Sequence, residues 1–312
     1  MEDQAKEVRT MRVTQTMLSQ DLLRQINNSY NKLADLQQQL ATGKKITRPS
    51  QDPVVATLGI QYRTDVAHVE QFERNMSEVH NWIDSSDEAL DEATQVLQRI
   101  RELTVEASND TYTDDQRKNI QKEIAQLKEQ LVTIANTKVA GKYIFNGTQT
   151  SSPPVTLTSG APGTPSTVTT NYGANPRDVL IEVNDGVKIA VNVNPAEAFP
   201  QQLFDDLTDL ENALLKNGSS GTEIGAFLDK IDAHTDAIVN ARAELGAREN
   251  RIELIDNRIS SQKLNAENIM ANNEGADFET VLVDYLNQEN MHRAALAVGS
   301  RIIQPSLVDF LK

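Results

Sequence analysis

Two runs far apart in the chain repeat the same spacing of apolar residues. From Leu22 a stripe of Leu22, Ile26, Ser29, Leu33, Leu36 and Leu40 steps by 4, 3, 4, 3 and 4 residues. A second stripe, through Ile238, Ala241, Leu245, Arg248, Ile252, Ile255, Ile259, Gln262, Ala266 and Ile269, alternates threes and fours in the same way. Between them Leu90, Ala93, Leu97, Ile100, Thr104 and Ala107 form a third stripe, and Ile120, Ile124, Leu127, Leu131 and Ile134 a fourth. A helix returns residues three and four apart to one face, and a sustained alternation specifies a seam packed against another helix. Helices distant in sequence but alike in seam pair most simply with each other. The fold class expected is therefore mainly α, a long antiparallel coiled-coil-like rod made by the two end portions of the chain.

Glycine and proline punctuate that pattern. The first helix stops at Thr42-Gly43, where Gly is a natural C-cap. Pro49 and Pro53 forbid a continuous helix, and Asp52-Pro53 suits the start of the next one. Ser85 with Glu88 reads equally as a capping box at a break or as part of an unbroken helix. Asn109–Tyr112 is a turn, and Thr113 with Gln116 caps the helix after it. After Gly141 the period changes. Tyr143-Ile144-Phe145 reads as a strand closed by Asn146-Gly147, and Asp178–Val183 with Val187–Val193 as a hairpin around Asn184-Asp185-Gly186. Residues 151–176 hold five prolines with many Thr and Ser and almost no charge, and Gly160–Pro165 within them reads as a flexible loop. Asn194-Pro195 ends the β segment. Helix resumes near Phe199, stops at Asn217-Gly218, resumes along the second seam, breaks at Asn272–Gly275 and runs on from about Ala276. The expected division is an unstructured lead at 1–10, terminal coiled segments at 11–48 and 276–312, a helical rod at 49–142 and 197–275, and a small inserted β domain at 143–196.

Charge and composition exclude several functions. The net charge is -15, whereas neutralising nucleic-acid phosphates needs clustered Lys and Arg. No nucleic-acid partner and no anionic membrane surface is expected. Cysteine is absent, so there is no thiolate nucleophile, disulfide or Cys-based metal site. The start M-E-D-Q-A-K-E-V-R-T lacks an apolar h-region, so no cleaved signal peptide is expected. No apolar run reaches the length of a membrane span. His68, His80, His234 and His292 have no metal-ligand spacing. Gly160–Pro165 lacks the Lys of a phosphate loop, and no carboxylate pair stands out as a general acid and base. No enzymatic activity, cofactor or metal is expected.

The final stretch is unusual. Ala294–Leu311 carries only Arg301 and Asp309 as charges, with Leu296, Val298, Ile302, Ile303, Leu307, Val308, Phe310 and Leu311 as its large apolar side chains. The gain from burying them is close to the entropy cost of ordering the segment. Such a segment either docks on its own chain or orders on a partner. The candidate assembly interface is accordingly Leu22, Ile26, Leu33, Leu36 and Leu40 together with Leu296, Val298, Ile302, Ile303, Leu307, Phe310 and Leu311.

Two stretches resemble the flagellin-like axial proteins of the bacterial flagellum. One is Leu40-Ala41-Thr42-Gly43-Lys44-Lys45-Ile46-Thr47-Arg48-Pro49-Ser50-Gln51-Asp52-Pro53-Val54. The other runs from Asn265-Ala266-Glu267 through Gly275-Ala276-Asp277-Phe278 to Ala294–Gly299 and Ile302–Leu307. Lesser matches are Leu97–Leu103 and Gly141–Gly147. The ending is nearer to hook-associated members than to flagellin, and Thr42 stands where the family often has Ser. The resemblance implies a structural subunit at the junction of hook and filament, exported through the flagellar type III channel to the cell exterior. It implies a ring of copies, with a second hook-associated junction protein, flagellin and a chaperone holding the C-terminal region as partners. The last stretch is then expected to pair with Leu18–Leu40 where neighbouring subunits surround the pair. The residues without the resemblance also admit an intracellular coiled-coil scaffold.

Overall fold

The computed structural model describes residues 15–161, 164–172 and 177–302. The chain is mainly α. Helices α1 (Gln15–Thr42), α2 (Pro53–Ala107) and α3 (Asp114–Ala135) come first, and α4 (Pro195–Ala198), α5 (Gln201–Leu215), α6 (Gly221–Glu274) and α7 (Phe278–Ile302) follow a β segment. That segment holds β1 (Lys138–Val139), β2 (Lys142–Tyr143), β3 (Val155–Thr158), β4 (Thr167–Thr170), β5 (Leu180–Asn184) and β6 (Val187–Ala190). The contacts divide into two units. The terminal unit holds the chain up to Val66 and from Leu264 onward, and the central unit is Ala67–Lys263. The expected lead at 1–10 lies outside the described residues.

The central unit is organised by the stripe on α2. Leu90, Ala93, Leu97, Ile100, Thr104 and Ala107 are all fully buried. Thr104 is tolerated there because its hydroxyl donates to the Ile100 carbonyl one turn back, 2.7 Å away, so no polar group is left unpaired. Ser86 does the same toward Trp82, and α2 runs unbroken through Ser85 and Glu88. The seam of α6 meets this stripe, with Ile238, Ala241, Leu245, Ile252 and Ile259 buried. Arg101 to Asp232, the fork of Arg242 onto Asp87 and Asp91, and Lys263 to Glu73 show the two helices running antiparallel. Arg248, the charged member of the α6 seam, points its guanidinium at the carbonyls of Ala190 and Asn192. The seam is interrupted where the β5–β6 hairpin sits. Helix α3 adds Ile120, Ile124, Leu131 and Ile134 to the same core. It starts on the expected capping box of Thr113 and Gln116.

The β segment is three separate antiparallel hairpins. In β5–β6, Asp185-Gly186 makes the turn with Gly186 at φ 70°, as the Asn-Asp-Gly sequence requires. The strand expected over Tyr143–Phe145 is shorter. The ladder holds only Lys142 and Tyr143, opposite Val139 and Lys138; beyond it the Ile144 amide donates to the Thr137 carbonyl, and Ile144 and Phe145 are fully buried. Residues 151–176, to which the sequence pattern assigns no element, contain the β3–β4 hairpin. Val155 and Val168 are its two buried residues, too few and too far apart to show a period of two among prolines and threonines. Past Asn194-Pro195, Asn194 caps the short α4, and Phe199 meets Phe145 edge-on at 5.1 Å between ring centres.

A buried ion pair and a buried carboxylate in this core set its response to mutation and pH. Lys128 and Glu211 are both fully buried and 2.5 Å apart. The ammonium also donates to the Ser166 carbonyl beside β4, and Gln121 donates to the other carboxylate oxygen. Breaking such a pair costs more than removing it, because one charge stays buried without its counter-ion. Lys128→Met is therefore expected to destabilise by about 3–5 kcal/mol, and the double variant Lys128→Met with Glu211→Leu to recover most of it in urea melts. Asp206 on α5 is buried and accepts from Lys230 at 2.8 Å, His234 at 2.9 Å and Gln202 at 3.1 Å. Burial pushes its carboxyl up, but those donors outweigh burial and hold it below the usual carboxylate range. A depressed folded value contributes stability that is present above the unfolded value, about 3.9, and lost as pH falls through the folded one. Asp206→Asn should lower stability at pH 7 and reduce the further loss on acidification to pH 3, read from the same melts.

Candidate assembly surface

The terminal unit pairs α1 with α7. On α1 the residues Leu22, Ile26, Ser29, Leu33, Leu36 and Leu40 are half-buried, while the neighbours of each along the helix are mostly exposed. The inner stripe of α7 is Val281, Tyr285, Gln288, His292, Ala295 and Gly299, stepping by 4, 3, 4, 3 and 4 residues. Gly299 lies against Leu22 and Ile26; a Cβ there would stand 3.1 Å from a Leu22 methyl and 3.5 Å from one of Ile26. At mid-seam, Gln288 donates to the Ser29 hydroxyl at 2.9 Å, and the His292 ring reaches the same oxygen at 3.3 Å. Tyr30 lies 6.2 Å from the His292 ring. A polar layer in an otherwise apolar seam costs stability but favours one alignment of the helices.

The apolar side chains of α7 are elsewhere. Phe278, Leu282, Val283, Leu286, Met291, Leu296 and Val298 are 40–60% exposed. The helix turns Val, Tyr, Gln, His, Ala and Gly toward α1 and leaves Phe, Leu, Met and Val in solvent. Burial normally sorts the other way.

The structure therefore divides the sequence-derived candidates. Leu22, Ile26, Leu33, Leu36 and Leu40 share one stripe of α1, on the side of the pair. Leu296 and Val298 lie on the outer side of α7, at 47% and 53% exposure, and are not brought onto that stripe. Ile302 is the last residue of α7, while Ile303, Leu307, Phe310 and Leu311 lie outside the described residues. The inner stripe of α7 escapes sequence reading because its members are mostly small or polar. Only their spacing marks them.

One end of the pair is held by local chemistry. Gly43 closes α1 at φ 66°. Asp52 caps α2 through the amides of Val54 and Val55. Asp277, rather than Ala276, opens α7, with its carboxylate accepting from the amides of Glu279 and Thr280 and from the Thr280 hydroxyl. The links on either side of these caps join main chain to main chain: the Lys45 amide donates to the Glu274 carbonyl at 2.7 Å and the Ala276 amide to the Gly43 carbonyl at 2.9 Å. On α6, Ile269 is 49% exposed, contrary to its place in the expected seam. The half-buried positions shift to Met270 and Asn273, and Asn273 donates to the Val55 carbonyl.

Comparison with known proteins points one way. Residues 13–150 match the bacterial flagellin N-terminal helical region. The chain is 26% identical to flagellar hook-associated protein 3 of Escherichia coli (strain K12) over 301 residues, covering 91% of this chain and 95% of that one. Its likeness is to hook-associated protein 3 among the flagellin-like axial proteins. The fold agrees: a putative flagellar hook-associated protein from Vibrio parahaemolyticus superposes with a TM-score of 0.64 at 21% identity, over 72% of this chain and 100% of that one. FlgL of Bacillus cereus superposes with a TM-score of 0.55 at 25% identity, over 68% and 99%. The first flagellin-like motif spans the link between α1 and α2, and the second includes the link between α6 and α7.

The approach at Gly299 gives a direct test. Gly299→Val would force branched carbons against Leu22 and Ile26, an overpacking that typically costs roughly 1–3 kcal/mol. Amide exchange along α1 near Leu22–Ser29 should speed up in this variant, with the central unit unaffected.

Proposed function

We propose that the chain is a structural subunit of the bacterial flagellum, seated at the junction of hook and filament and required for motility. The observation that carries this reading is the reversed burial of α7: its apolar residues face outward, where neighbouring subunits of an axial structure would cover them. Near-complete alignment with hook-associated protein 3 supports it. An intracellular scaffold finds no support in these likenesses.

The subunit works by packing rather than catalysis, with no cofactor. Its terminal segments, 11–48 and 276–312, form the inner coiled layer. The helices of 49–142 and 197–275 form the rod, and the hairpins of 143–196 form the outward β domain. Copies assemble as a ring, touching a second hook-associated junction protein on one side and flagellin on the other. Before assembly the chain leaves the cell unfolded through the flagellar type III channel, its C-terminal region held by a chaperone. An apolar segment whose burial only just offsets its ordering cost stays soluble with that chaperone and orders when several chains bury it.

Deleting Ala294–Lys312 tests the reading. Cells carrying the deletion should swim poorly and release flagellin into the medium. Retained filaments and normal swimming would overturn the role given to this segment.

A further inference from the structure

A glycine inside a helix needs a reason, because Ala in its place would favour the helix. Gly59 lies two turns into α2 and has no left-handed φ, so backbone freedom does not explain it. Space does. A Cβ at this position would stand 2.8 Å from Glu274 Oε1 and 3.5 Å from Asn273 Nδ2. A carboxylate at the end of a flexible side chain could ordinarily swing away. This one is held: Arg63 Nε donates to Oε1 at 2.6 Å, Lys44 Nζ lies 3.3 Å from Oε2, and the Glu274 side chain is only 10% exposed.

Glu274 is also misplaced by the usual electrostatics of helices. It is the last residue of α6, and that last turn has no basic residue. A negative charge at a helix C-terminus opposes the helix dipole. Cations must then come from elsewhere, and they come from two different elements: Lys44 from the link after α1, and Arg63 from α2. The same residue accepts the Lys45 amide through its main-chain carbonyl. Lys45 completes the joint by donating its ammonium to the Asn272 carbonyl at 2.9 Å. One residue thus grips the link beyond α1 with both its backbone and its side chain, while its carboxylate rests on α2 in the space Gly59 leaves open.

We propose that Glu274 is a positioning residue for assembly. It fixes the direction in which the α1–α7 pair leaves the adjoining turns of α2 and α6, and Gly59 is the seat that admits its carboxylate. This role rests on the junction function proposed above. There, every copy must present its terminal helices to its neighbours in one geometry. Main-chain bonds alone would let the links pivot, whereas a carboxylate clamped between two cations from separate elements restricts the pivot.

The test is a double-variant cycle on the purified full chain. Gly59→Ala puts a methyl 2.8 Å from Oε1, and Glu274→Asp withdraws the carboxylate by one methylene. Exchange of the Lys45 and Ala276 amides, which donate to Glu274 and Gly43, reports the state of the joint. Gly59→Ala should speed their exchange by roughly tenfold, the scale of a weakened charge-assisted bond, although helix propensity alone predicts slower exchange in α2. In the Glu274→Asp background the same methyl should have little further effect. Unchanged exchange in Gly59→Ala, or effects that multiply independently in the double variant, would overturn the proposal. Protection in the central unit serves as the folding control. In cells, Gly59→Ala should reduce filament retention. If the Ala294–Lys312 deletion loses filaments while Gly59→Ala keeps them, the positioning role fails and the junction function stands. If cells lacking the whole chain also keep their filaments, the junction function itself is at fault.

Discussion

The structure depends first on one stripe of side chains. Leu90, Ala93, Leu97, Ile100, Thr104 and Ala107 present a continuous buried face along α2, and α3 and α6 in the central unit pack into the same core. Spacing of 3 and 4 residues makes the stripe run nearly parallel to the helix axis. Long helices can then share it without kinks, and both α2 and α6 remain unbroken for more than 50 residues. Where a polar or charged residue falls on a seam, a particular partner accounts for it. Thr104 bonds back to its own helix, Arg248 caps carbonyls near β6, and Ser29 meets Gln288 and His292. The seams bury polar groups only with their hydrogen bonds made, as a narrow core must.

The two units use their side chains differently. The central unit is conventional, with its large apolar residues inside and ion pairs such as Arg242 with Asp87 and Asp91 outside. The terminal unit is not. Its α1–α7 pair is only half-buried, and α7 keeps its largest apolar residues in solvent. As a separate protein this arrangement would leave apolar surface exposed to no purpose. In an axial assembly the same surface becomes interior. The functional reading therefore rests on the place where the molecule departs from ordinary packing.

Much of the helical framework is legible in the residues alone. Helix starts and stops follow from short-range chemistry: Gly43 at positive φ, Asp52 before Pro53, and the Thr113–Gln116 capping box all stand as the residues dictate. The β3–β4 hairpin is not legible in this way. Its two buried valines lie among prolines and threonines that obey no period, and its position depends on contacts from distant elements, such as the Lys128 ammonium on Ser166 and Gln201 on the Thr170 amide. Ile269 departs from its seam for a related reason. A strict seam would bury it, but near the end of α6 the contacts follow Glu274 and Asn273 onto α2, which rotates the buried face.

By itself, the sequence determined the helices, their seams and their caps, because these depend on neighbours within four residues. It also determined that the chain would be acidic, free of thiols and furnished with an apolar final stretch. Only the tertiary structure decided which face of α7 meets α1. That choice turns on a small residue at Gly299 and on the hydrogen bonds of Gln288 and His292 to Ser29, and neither Gly299 nor Gln288 is apolar enough to register in a pattern. Their importance comes from what stands opposite them, and residues some 200 positions away are beyond the reach of any local rule.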